Sequence, residues 1–322
     1  MKNMSKIMFM FIMIISLIMV SSSSNMMSMW VSLEINMMMF IPLMNEKNNS
    51  QSMMMYFLTQ SMASMMFMIS ILNNNMFNMM MLMSLSMFMK MGMPPFHQWL
   101  PEIMAKISWN LCFLMMTLQK IPPMMVMTQI MENNYMNNLI IISSIVFSAI
   151  IGLNQTSMRK LMAYSSMSHT GWMLMCMKLS NKSWMSYMMI YMIMMMMMCQ
   201  FLSKMNIFYL NQMNIQMMEN SNKIMLMMSM MSMGGMPPFL GFLPKWMTIQ
   251  LIIKSEEMFM MLIMLFMSVV TMFYYLRMMS SISMISSISQ KWMNFKNMNM
   301  LIMYMYMINI MMPASILMIK LL

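Results

Sequence analysis

The chain reads as an all-α polytopic membrane protein of about eleven transmembrane helices, arranged as two inverted five-helix repeats plus one C-terminal helix. Composition is the first ground: of 322 residues 61% are hydrophobic and only 8% are charged, against about 25% charged in an average soluble domain. Spacing is the second. A bilayer core about 30 Å thick needs about 20 apolar residues per helix, and the apolar runs have that length between short polar clusters at 21–25, 73–75, 133–138 and 219–223. The third is a proline motif that occurs twice.

Hydropathy read against helix breakers places the spans at 5–21, 26–45, 53–73, 79–105, 107–131, 138–155, 158–177, 184–209, 223–253, 258–279 and 300–321. Residues 5–131 form the first repeat and 138–279 the second. An interfacial segment at 280–299 and a C-terminal helix at 300–321 complete a single membrane domain covering 1–322. Within 282–295, Ile282, Ile285, Ile288, Trp292 and Phe295 recur at spacings of three and four among polar residues, so that stretch is expected to lie along the membrane surface. With alternating sides, eleven lysines and arginines fall on the N-terminal side and four on the other. The excess puts the N-terminus on the inner face, the matrix if the membrane is mitochondrial. Topology also accounts for the net charge of +11; no basic stripe interleaved with aromatics suggests nucleic acid.

The fourth and ninth spans are too long, and both carry prolines. Gly92-Met93-Pro94-Pro95-Phe96 followed by Leu100-Pro101 recurs as Gly235-Met236-Pro237-Pro238-Phe239 followed by Leu243-Pro244, seven identities in ten positions at an offset of 143. The copies lie in spans four and nine, five apart, so they are expected to cross the membrane in opposite directions. A Pro-Pro pair removes two backbone donors and clashes with the preceding turn, which predicts two Pro-broken helices whose freed carbonyls need partners. Matched interruptions in two halves point to an ion pathway.

An ionisable side chain at the bilayer centre costs about 2.5–3.5 kcal/mol on insertion scales. Glu34 lies in the second span, Lys90 two residues before Gly92, Lys120 just before Pro122-Pro123, and Lys245 just after the second motif. Opposite charges offset each other's burial, so Glu34 and Lys90 are the expected pair. A lysine held in low dielectric beside a carboxylate that can move can take up and release a proton. One buried lysine alone often snorkels to the interface, whereas three, two of them beside matched breaks, point to transport. His169 lies in a span rich in hydroxyls; it suits a relay between the halves or a hydrogen-bonded structural role. His97 and Glu102 flank the first break and fit a local salt bridge or loop anchor.

Methionine occupies 82 positions and is spread through every run. Thioether copper sites need a few ligands at defined spacing, so stretches such as 192–198 read as apolar filler. Methionine standing where leucine or isoleucine would serve resembles the product of an AT-rich mitochondrial genome. No basic presequence precedes the first run, and the chain is expected to need no import. Cys112, Cys176 and Cys199 show no paired spacing. No metal or cofactor site is expected in this chain: it has no dinucleotide fingerprint, phosphate loop or cysteine quartet.

Several segments together carry a family resemblance. Trp30-Val31-Ser32-Leu33-Glu34-Ile35-Asn36 resembles a Gly-Leu-Glu-Ile-Asn segment, Pro95-Phe96-His97 an Ala-Pro-Phe-His segment, and Leu118-Gln119-Lys120-Ile121 a Trp-Gln-Lys segment. Asn154-Gln155-Thr156-Ser157-Met158-Arg159-Lys160 is similar to Asn-Gln-Thr-Ser-Leu-Arg-Lys, and 234–246 to Gly-Gly-Leu-Pro-Pro-Phe-Leu-Gly-Phe-Leu-Pro-Lys-Trp. These belong to the subunit 2 family of mitochondrial NADH:ubiquinone oxidoreductase (complex I), invertebrate or insect type, whose members are antiporter-like membrane-arm subunits. The match covers about residues 5–280; Ser32, Gln98 and Leu118 depart from it without touching a candidate charge.

The resemblance implies a multi-pass protein of the mitochondrial inner membrane with no redox centre of its own. It would be a subunit of the proton-translocating NADH:ubiquinone reductase, with a membrane-plane pathway of Glu34, Lys90, Lys120 and Lys245, to which His169 is the further candidate. NADH, FMN, iron–sulfur clusters and ubiquinone would belong to other subunits. The implied partners are membrane-arm subunits including 4 and 4L, accessory subunits and lipid such as cardiolipin, with no nucleic acid. A stand-alone cation/proton antiporter is the alternative function.

Overall fold

In the computed structural model, residues 2–45, 49–73, 77–131, 135–212 and 220–288 are described, and all their regular structure is helical. The helices are α1 (Lys2–Ser22), α2 (Met26–Leu43), α3 (Ser50–Leu72), α4 (Phe77–Met91), α5 (Trp99–Met104), α6 (Trp109–Met116), α7 (Ile121–Ile130), α8 (Tyr135–Leu153), α9 (Met158–Leu179) and α10 (Ser183–Lys204). They continue as α11 (Asn220–Gly234), α12 (Phe242–Ser255) and α13 (Met258–Ile288), and a 3-10 turn at Leu118–Lys120 joins α6 to α7. At least seven stretches are long and apolar enough to cross a membrane. The tenth span, expected to end at 279, continues as helix to Ile288. The surface orientation expected for 282–295 and the C-terminal helix at 300–321 lie outside what the described residues show.

The burial pattern inverts that of a soluble bundle. On α13, Phe259, Leu262, Phe266, Val269 and Phe273 are exposed at spacings of three and four, while Thr271 is buried. Lipid can solvate the outward stripe and cannot hydrogen-bond an inward hydroxyl, so the mid-helix serines close on their own backbone. Ser86, Ser144 and Ser166 donate to the carbonyls of Met83, Ile141 and Ala163 at 2.6–2.7 Å.

The chain divides into two units, residues 1–144 and 145–322. In the first, α1 packs on α2 and α7, α3 lies between α2 and α4, and α4 also packs on α7. In the second, α9 packs on α10 and α12, and α13 packs on α11 and α12. Every residue of α9 from Leu161 to Met177 is buried. That helix carries Ser165, Ser166, Ser168, His169 and Thr170 and falls outside the seven apolar stretches. Protein shields it from lipid, so its composition is free to be polar.

Candidate functional site

The long fourth and ninth spans are both broken, and glycine makes the stop. α4 ends in a left-handed residue, Gly92 at φ +73°. The Gly92 amide donates to Met89 O at 3.1 Å and the Met93 amide to Phe88 O at 2.9 Å. α11 ends the same way at Gly235, φ +79°, with bonds to Ser232 O at 3.0 Å and Met236 to Met231 O at 3.2 Å. Each is a Schellman cap, for which glycine carries no Cβ penalty. The prolines follow the cap and prevent the helix from resuming, which corrects the expectation that the Pro-Pro pair itself unwinds it.

The carbonyls left free by the first break find side-chain donors. Trp99 Nε1 reaches Met89 O at 3.2 Å, and Gln60 Nε2 on α3 reaches Lys90 O at 3.2 Å. At the second break Lys245 Nζ, from the first turn of α12, donates to Gly234 O at 2.7 Å. A lysine at a helix N-terminus is ordinarily unfavourable; here the C-terminal end of α11 supplies the negative pole.

Lys120 sits at a third break. The 3-10 turn places it immediately before α7, whose first turn accommodates Pro122 and Pro123 because the N–H groups there have no intrahelical partner. Lys90, Lys120 and Lys245 are 6%, 2% and 7% exposed. Lys90 and Lys120 line one small cavity of about 10 Å³, room for the centre of one water, together with Tyr56, Gln60, Trp99 and Gln119. The Tyr56 hydroxyl donates to Gln119 Oε1 at 3.1 Å, which fixes the amide beside Lys120.

Glu34 is half-buried on α2, and its Oε1 is buried without a hydrogen-bond partner. The pair expected from the sequence is not a contact: no ion pair joins Glu34 to Lys90, although the carboxylate acts electrostatically on both Lys90 and Tyr56. Glu102 is exposed and enters no ion pair among the described residues, so the salt bridge anticipated there is not formed.

In the second unit His169 is 2% exposed, and its Nδ1 shares a 2.9 Å hydrogen bond with the Tyr187 hydroxyl. The Tyr191 ring lies 5.2 Å from the imidazole, centroid to centroid. Away from this core, an ion pair between Lys178 and Glu257 ties the end of α9 to the start of α13. The three cysteines are buried and form no disulfide among the described residues, where no group of three His, Cys, Asp or Glu side chains could hold a metal either.

The sequence did not single out Tyr56, Gln60, Trp99, Gln119, Tyr187 or Tyr191. Gln60, a lone amide inside an apolar run, and Gln119, adjacent to Lys120, carried a usable signal. The tyrosines carried none, because a tyrosine in an apolar run reads as core.

These features define a class: polytopic helical membrane proteins with ionisable groups buried at interrupted helices. Residues 72–271 match the family model described as NADH:quinone oxidoreductase/Mrp antiporter, TM. The chain is 39% identical over 295 residues to NADH-ubiquinone oxidoreductase chain 2 of Locusta migratoria, covering 87% of this chain and 86% of the relative. It is 37% identical over 318 residues to the Anopheles gambiae protein of that name, covering 93% and 92%. Its fold matches a chain of respiratory complex I from Thermus thermophilus with bound aureothin at a TM-score of 0.79 and 18% identity, over 86% of this chain and 70% of that one. The chain belongs to the NADH:quinone oxidoreductase/Mrp antiporter family, as a membrane subunit of the insect-type NADH-ubiquinone oxidoreductase chain 2 kind.

Proposed function

We propose that this chain carries protons across the mitochondrial inner membrane as part of complex I, with Glu34, Lys90, Lys120 and Lys245 as the exchanging groups and His169 as a relay. The carrying observation is the placement of all three lysines, buried, at helix interruptions. Interruption frees backbone dipoles and leaves room for water where an unbroken helix would be closed. On this reading the helices complete eleven spans in two inverted repeats with the N-terminus in the matrix, and the partners are the other membrane-arm subunits, 4 and 4L among them, with lipid at the rim. Cofactors and quinone chemistry belong to those neighbours.

The absence of a direct Glu34–Lys90 contact fits a switch. A carboxylate held at a distance acts on the ammonium through the low-dielectric interior, and a small displacement changes that action steeply. With Glu34 moved or neutralised, the Lys90 proton passes through the shared cavity towards Lys120. Lys90→Met removes a buried charge and should leave insertion intact while abolishing most proton translocation and the NADH:ubiquinone turnover coupled to it. Glu34→Gln should behave similarly. The measurement is proton translocation and turnover in membranes at matched assembly; wild-type pumping by an assembled Lys90→Met complex would refute the assignment.

A further inference from the structure

From the 3-10 turn, Gln119 reaches two helices, and the chemistry of its contacts fixes which way its amide points. Its Nε2 lies 3.5 Å from Met13 Sδ on α1, and its Oε1 receives the Tyr56 hydroxyl of α3 at 3.1 Å. A thioether sulfur can only accept, so the amide nitrogen faces it and the oxygen is left for the phenol. Neither contact is with Lys120, although Gln119 and Lys120 are consecutive in the turn and line the same cavity. The Tyr56 ring is itself held: it is 2% exposed, with the Phe40 ring of α2 at 5.2 Å and the Trp99 ring of α5 edge-on at 6.3 Å.

An ammonium bonded by an amide oxygen is favoured in its charged form, and a hydrogen bond to a charged group is about twice as strong as a neutral one. A Gln119 oxygen turned to Lys120 would therefore make the lysine hold its proton. The terminal amide torsion is broad and soft, so little besides the phenol's bond opposes that turn. We propose that Tyr56 is a positioning residue for Lys120: its hydroxyl keeps the Gln119 oxygen from accepting from the ammonium, so that the lysine can give up its proton in each cycle. This deepens the proton-carrying reading above and rests on it. The titratable groups around the turn are few. Lys90 of α4 and Tyr56 line the cavity, and Glu34 of α2 acts on both of these. Of the other helices packed on the turn, α6 supplies only Cys112, whose Sγ lies against Met104 O and Ile107 O, and α7 supplies none.

The test is the pH profile of proton translocation per NADH oxidised, in inner-membrane vesicles carrying the assembled complex. Tyr56→Phe keeps the ring contacts with Phe40 and Trp99 and removes only the donor. Its Gln119 oxygen turns to Lys120, so the profile should move to higher pH by about one unit, the size that one charge-assisted hydrogen bond gives. Tyr56→Phe/Gln119→Leu has no amide to turn, and its profile should return to the wild-type position. A phenol that merely fills space would leave the Tyr56→Phe profile unmoved. That result overturns the role, and so does a shift that persists in the double variant. Loss of translocation at every pH in both variants means that the phenol carries protons itself, which also overturns it. Failure of Tyr56→Phe to assemble marks the bond as structural and overturns it likewise. Lys90→Met separates this role from the reading beneath it: if that variant is defective while Tyr56→Phe keeps the wild-type profile, the positioning role alone falls. If Lys90→Met pumps normally, the proton-carrying reading falls and the role with it.

Discussion

Lys90, Lys120 and Lys245 were legible because a cation inside an apolar run has a known insertion cost and stands out against it. What surrounds them was not, since amides and phenols carry no comparable penalty and their use depends on which helices meet. Lys245 shows the difference. From the sequence it is a third buried lysine; in the fold its chain occupies the space a side chain on Gly235 would need, with Nζ, Cδ and Cε 2.7–2.9 Å from where a Cβ would stand. At Gly92 the corresponding neighbours are Leu100 and Trp99. Gly235→Ala is therefore expected to destabilise the assembled protein by about 1–3 kcal/mol through left-handed strain and displacement of Lys245. In a Lys245→Ala background only the backbone part, about 1 kcal/mol, should remain. Thermal denaturation of the four members of that cycle measures the coupling, and additive effects would show that the lysine and the glycine do not share the space.

The repeated Gly-Met-Pro-Pro-Phe string located the two long-span breaks, because proline's missing donor is a local fact readable without the fold. Attributing the break to the prolines missed the element that stops the helix, since a left-handed glycine is chosen by the backbone it must close. The 3-10 break before α7 was missed as a break, although Pro122-Pro123 marked its place: the same dipeptide is harmless in a first turn and disruptive in an interior. The hydroxyls of α9 are plain in its sequence, but its complete enclosure depends on α10 and α12 and is invisible in its own residues. These helix ends make a pair of contrasting predictions. Pro123→Ala restores an N–H that the first turn cannot use and should change stability by no more than about 0.5 kcal/mol. Trp99→Phe keeps the ring yet strips the donor from Met89 O, which should cost about 1–3 kcal/mol. Thermal midpoints of the two variants in the assembled complex compare them directly, and equal losses would mean the indole bond contributes nothing at the break.

For the whole molecule, sidedness was read from charge, and the second unit gives that reading a physical arrangement. Arg277 Nη2 on α13 donates to Leu153 O, the last residue of α8, at 2.7 Å. At the same end a bridge joins Ser157 to Tyr209 beyond α10, and the Arg159 guanidinium stacks over Phe208 at 4.6 Å. Arg159, Lys160, Lys204 and Arg277 thus gather where α8, α10 and α13 meet the start of α9. The opposite end of α9 carries Lys178 paired with Glu257, and Glu256 lies beside it in sequence. One end is purely basic among its described residues and the other mixed, the asymmetry that sets orientation during insertion, when basic loops are retained on the inner side. The basic end should therefore face the matrix. An amine-reactive, membrane-impermeant reagent should modify Lys160, which is only partly buried, in inverted inner-membrane vesicles and leave it unmodified in intact mitochondria stripped of their outer membrane. Lys182, in the turn between α9 and α10 at the mixed end, should show the reverse pattern. The two lysines control for each other, because general inaccessibility would silence both and leakage would label both in either preparation. Modification of Lys160 from the outer side alone, with Lys182 reacting only from the matrix, would invert the orientation.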